Sequence, residues 1–153
     1  MKVYGFSRSE FIDYLVSNNI TDSTVENFKE EFFISIISSG GPMAEPVFFQ
    51  MHNNVLTIQF DDVDADVRKW GRDMQDYVEA KTITEEQASI LVKFIDNIPN
   101  FARVNIHCVY GISRTGAVAK FLEEYRGAEI YSQQLDDLNG RVFSLLKSVA
   151  KLR

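Results

Sequence analysis

Val104-Asn105-Ile106-His107-Cys108-Val109-Tyr110-Gly111-Ile112-Ser113-Arg114-Thr115-Gly116 decides the fold class. Val104 to Ile106 reads as a short strand. Gly111 stands where the chain must turn, because it accepts torsions that a side chain opposes. From Arg114 to Tyr125, Val118, Phe121, Leu122 and Tyr125 recur at helical spacing, and Gly127 is the stop. A strand that enters a tight loop and leaves as a helix is the joint from which α/β proteins are assembled.

The pattern repeats on either side. Thr84 and Gln87 form a capping box that opens a helix carrying Ala88, Leu91, Val92, Phe94 and Ile95, and Asn97 to Asn100 close it. Val55 to Phe60 reads as a strand after the turn-like His52-Asn53-Asn54. Phe32 to Ser38 is an apolar, β-branched run suited to a buried strand. Gly40-Gly41-Pro42 is a loop. Met1 to Phe6 is a further short strand, followed by the capping box Ser7 to Glu10 and a helix with Phe11, Tyr14 and Leu15 on one face. A last helix is expected from about Ser132 to Leu152, interrupted at Asn139-Gly140-Arg141, where Asn139 suits packing or capping better than catalysis. Asp61 to Lys81 is charged and aperiodic and reads as a surface loop, with Trp70 as its packing anchor. Strands alternating with helices predict a three-layer α/β fold with a mostly parallel central sheet flanked by helices, as a single domain over 1–153.

Sixteen Lys and Arg against 22 Asp and Glu leave a net charge of −6. That balance argues against nucleic acid or an anionic membrane as the main partner. The one cysteine allows no internal disulfide and fits a reducing compartment. No run of about 18 apolar residues is present, and Met1 to Phe6 lead into a polar stretch, so the cytoplasm is the expected location. His52 and His107 are the only histidines and show no metal-ligand spacing.

The chemistry lies in the loop. A short loop closing onto a helix N-terminus gathers backbone N–H groups into a nest for an anion such as phosphate, and the helix dipole adds to it. Val109, Tyr110, Gly111, Ile112 and Ser113 supply that nest, and Arg114 can reach back with a planar fork suited to two phosphoryl oxygens. A cysteine at the floor of such a concavity favours the thiolate, an in-line nucleophile on phosphorus.

His107-Cys108, five residues, then Arg114-Thr115-Gly116 resembles the signature loop of the protein tyrosine and dual-specificity phosphatases, and the chain is similar to the small bacterial and phage members of that superfamily. The resemblance covers His107, Cys108, Gly111, Arg114, Thr115 and Gly116 specifically, Leu56 to Tyr125 more loosely, and little beyond. It implies a dual-specificity phosphatase-like fold and a two-step reaction without a cofactor. Cys108 takes the phosphoryl group, an aspartic acid protonates the leaving oxygen and then activates water, Thr115 helps the sulfur leave, and His107 supports the loop. The family places the acid on a loop after a sheet strand. The pattern of Leu56, Ile58 and Asp62 selects Asp62, with Asp61, Asp64, Asp73 and Asp76 as alternatives; Asp62 lies further before Cys108 than is common in the family, and Asp76 sits nearer the common spacing.

No basic residue occupies Val109, Tyr110, Ile112 or Ser113, which lowers the case for polyphosphorylated inositols. Tyr110 is expected to pack beside the loop rather than to form an aromatic rim. By analogy the partner is a phosphorylated protein, carrying phosphotyrosine and also phosphoserine or phosphothreonine. An RNA 5′-end phosphatase and a catalytically inactive phosphate-binding module are the competing readings, with a sulfur-transfer or arsenate-reducing enzyme further off.

Overall fold

A computed structural model describes residues 1–63, 81–131, 133 and 135–152. Trp70, Asp64, Asp73 and Asp76 lie outside the described residues. Five strands, β1 (Lys2–Phe6), β2 (Glu31–Ile37), β3 (Val55–Gln59), β4 (Arg103–His107) and β5 (Glu129–Tyr131), form one sheet in the order β3-β2-β4-β1-β5. Every pairing is parallel. The helices are α1 (Arg8–Ser17), α2 (Glu85–Asp96), α3 (Ser113–Arg126) and α4 (Gly140–Lys151).

The period-2 alternation of the strands divides the core in two. Val3, Ile34, Ile36, Val104 and Ile106 face α2, α3 and α4 and make the larger cluster. Phe33 and Val55 face the other way, against Phe11 and Leu15 of α1 and Phe48. The result is the expected three-layer α/β fold. Both expected capping boxes form, Ser7 with Glu10 and Thr84 with Gln87, and Gly127 closes α3 at φ 66°. Among the described residues no helix is long and apolar enough to cross a membrane.

The C-terminal segment departs from expectation. The last helix starts at Gly140, not near Ser132, because the Asn139 side chain accepts from Val142 N at 3.0 Å and caps it there. The three-residue strand β5, which local pattern does not reveal, pairs with Lys2 to Tyr4 at the sheet edge.

The smaller core is sealed by a charged clasp. His52, with a side chain 3% exposed, meets Asp22 at 2.8 Å and Glu26 at 3.4 Å, while Asp22 also accepts from the backbone of Phe49 and Gln50. The Asp22 hydrogen bond raises the His52 pKa above its usual value; burial opposes the rise and Glu26 adds to it. The folded protein therefore holds this proton to higher pH than the unfolded chain. The clasp contributes fully below about pH 6.5 and fades as pH rises through the folded value. Replacing His52→Gln is expected to cost about 1–2 kcal/mol at pH 5.5, with the gap from wild type narrowing towards pH 9 in urea denaturation. A gap that widens with pH contradicts the clasp.

Candidate active site

Strand register assembles the site. Phe6 of β1 and Ser35 of β2 both stand opposite His107, the last residue of the central strand β4. The chain leaves β1 into α1 on one face of the sheet and leaves β4 into α3 on the other. Neighbouring parallel strands whose helices diverge in this way open a crevice at their C-terminal ends, the usual ligand position in such sheets. Cys108 lies at that point, 3% exposed.

His107 is fully buried below it. Its Nδ1 is 3.1 Å from Cys108 O and its Nε2 is 2.6 Å from Ser35 Oγ. A carbonyl only accepts, so Nδ1 carries the proton and Nε2 accepts from the Ser35 hydroxyl. Burial lowers the His107 pKa to about 4, against the pull of the hydrogen bond to Cys108, and the positive charges of Arg8 and Arg114 lower it further. A neutral imidazole with both nitrogens committed holds the end of the strand and does not move protons at neutral pH.

From Val109 to Ser113 the backbone N–H groups donate to no other described residue, and they run into the first turn of α3. This leaves them free for an anion, as a nest requires. Gly111 makes the turn at φ 73°, and a Cβ there would stand 2.4 Å from the Phe6 carbonyl carbon and 2.5 Å from Ser7 N. The position admits only glycine, both by torsion and by space.

Arg114, 4% exposed, is anchored from behind. Its Nη1 donates to Phe60 O at 2.7 Å and to Ser38 Oγ at 3.2 Å, while its buried Nε has no partner among the described residues. A fixed guanidinium with one N–H uncommitted in a buried position is poised for an anionic ligand. Thr115 is also fully buried, and its hydroxyl has no partner among the described residues.

The two adjacent aspartates are separated by their contacts. Asp61 accepts from Ser39 N at 2.9 Å, from the Ser39 hydroxyl and from Lys81 N at 2.8 Å. Burial alone would raise its pKa, but these hydrogen bonds and the Arg114 charge hold it below the usual carboxylate range. It is a structural carboxylate. Asp62 is exposed and reaches the loop: its Oδ1 accepts from Ser113 Oγ and from Asn139 Nδ2, both at 2.7 Å. Oδ2 has no partner among the described residues.

Tyr110 corrects an expectation. It does not pack beside the loop but stands 80% exposed at its rim. Ile112 is half exposed, and the Ser113 side chain, considered only for its backbone, ties the loop to Asp62. Three supporting residues were not singled out for the site by the sequence reading: Ser35, Ser38 and Arg8. Ser35 carried a signal, a polar residue in an otherwise apolar strand at the same period-2 position as His107. Asn139 caps α4 as expected, and it also positions Asp62 and donates its backbone N–H to Ser113 O at 2.9 Å. Comparisons with known protein families, with curated proteins and with solved structures found no match to this chain.

Proposed function

We propose that this chain is a phosphomonoester hydrolase working through a phosphocysteine intermediate, and within that class a protein tyrosine or dual-specificity phosphatase. One observation supports the reading: Cys108, the uncommitted Nε of Arg114 and the exposed carboxyl of Asp62 lie around one loop that enters a helix N-terminus.

Each residue then has a task. The Cys108 thiolate attacks phosphorus in line, and the P–O bond to the leaving group breaks. The departing oxygen takes the proton from Asp62 Oδ2. The loop N–H groups and Arg114 hold the three equatorial oxygens as charge redistributes. In the second step the Asp62 carboxylate takes a proton from water. The water oxygen bonds to phosphorus, the S–P bond breaks, and Cys108 leaves as thiolate with the Thr115 hydroxyl beside it. Inorganic phosphate is released and Asp62 is again protonated. No step calls on a cofactor. The expected substrates are phosphoproteins, with phosphotyrosine first.

Hydrolysis of para-nitrophenyl phosphate and of a phosphotyrosine peptide tests this reading. Asp62→Ala is expected to lower kcat on the peptide by about 10²–10³-fold. The loss on the nitrophenyl ester should be much smaller, because nitrophenolate leaves without a proton. Equal losses on both would remove Asp62 from the acid role. No turnover of either by folded wild type would overturn the protein phosphatase reading, and turnover of RNA 5′-phosphate ends alone would replace it.

A further inference from the structure

We propose that Arg8 forms a second anion subsite beside the loop and takes a negatively charged group flanking the phosphorylated residue of a peptide; this rests on the phosphatase reading of Cys108 and Arg114.

The placement follows from register. Because Phe6 stands opposite His107, the residues after β1 run level with the residues after β4. Arg8 N accordingly donates to Val109 O at 3.0 Å, and Gly111 lies against Phe6 and Ser7. Arg8 opens α1 on one face of the sheet, and Arg114 lies in the first turn of α3 on the other. Both charges reach His107.

Among the described residues nothing neutralises Arg8. Its Nη1 is buried and has no hydrogen-bond partner among the described residues, and it forms no ion pair with a described carboxylate. Glu10, the nearest acid along the helix, is spent on the capping box, where it accepts from Ser7 N at 2.9 Å. A buried guanidinium atom without an acceptor is costly, and in a chain of net charge −6 it is also conspicuous.

Space for a ligand lies alongside. A groove of about 540 Å³ is lined by Ser7, Arg8, Ile12, Met43, Val109 and Tyr110, and among the described residues no carboxylate lines it. The exposed Tyr110 belongs both to the loop and to the lining of this groove. Adjacent strands lie about 4.8 Å apart, and an extended peptide advances about 3.4 Å per residue. A side chain one or two residues from the phosphotyrosine therefore reaches Arg8 while the phosphate occupies the loop. Met43 and Ile12 suit the methylenes of such a side chain, and Arg8 suits its charged end.

Three phosphotyrosine peptides decide the matter, identical except for glutamate, glutamine or phosphothreonine at the flanking positions. Wild type is expected to favour the glutamate peptide over the glutamine peptide about tenfold in kcat/KM, with the ratio compressed by high salt. Arg8→Met should bring the ratio to about one, and Arg8→Glu should bring it below one. Neither change removes a side-chain hydrogen bond, and the wild-type ratio needs no variant at all. A phosphothreonine peptide better than the glutamate peptide assigns the subsite to a second phosphate; the reverse assigns it to a carboxylate. Equal rates in wild type, or a preference surviving both variants, overturn the subsite while leaving the phosphatase reading intact. No turnover of any peptide overturns both.

Discussion

Cys108→Ser is expected to abolish turnover, by about 10⁴-fold or more on both the nitrophenyl ester and a phosphotyrosine peptide, while the protein stays folded and still binds the peptide. The substitution exchanges sulfur for oxygen at a site 3% exposed, so packing changes little. What is lost is the nucleophile: a serine hydroxyl is far less acidic than a thiol, and the one nearby imidazole cannot activate it. His107 is buried, its Nε2 is occupied by Ser35 and its Nδ1 by the Cys108 carbonyl. The anion nest and Arg114 are untouched, which is why binding survives. Peptide affinity measured by titration calorimetry should therefore remain within a few-fold of the wild-type KM. Residual turnover of several per cent in the serine variant would mean that water attacks directly and that Cys108 is not the nucleophile. A second line of test uses the same thiol. Peroxide should inactivate the wild type, vanadate should protect it, and no internal disulfide can rescue it because there is no second cysteine.

What could be read from sequence was local. The joint at 104–116, both capping boxes and the stop at Gly127 are each written within a few residues, and each stands where it was expected. The strand β5 is not written locally. Glu-Ile-Tyr has no alternation long enough to register, and its existence depends on pairing with β1. The last helix misled for a related reason. Leu135 and Leu138 continue the apolar spacing of α4 backwards, but the Asn139 side chain takes the N-terminal cap and the helix begins only after it. At the site, residue types and spacing were enough to choose Cys108 and Arg114 as candidates, and the family resemblance added Asp62. The contacts that hold them were not, because Ser35, Ser38, Phe60 and Asn139 reach the loop only through strand register and the fold of distant segments. Tyr110 shows the limit from the other side, since an aromatic residue in a loop does not announce whether it will be covered.

Arg114→Lys should lower kcat/KM by about 10²–10³-fold, although the charge is kept. The reason lies in how the guanidinium divides its donors. Nη1 is bound to Phe60 O and Ser38 Oγ, and Nε faces a buried position without a partner. On the proposed reading one planar group answers both the protein behind it and an anion in front of it, with its orientation fixed by the first contact before the second is made. An ammonium at the end of a flexible stem has a single centre. If it stays with Phe60 O it offers the phosphate a distant charge; if it turns to the phosphate it strands a buried carbonyl. The loss should fall on kcat as well as KM, because the equatorial oxygens need the fork most in the transition state. Thermal unfolding of the variant checks that the fold persists. An effect confined to KM would show that Arg114 only attracts the substrate, and activity within about threefold of wild type would show that the fork is not used.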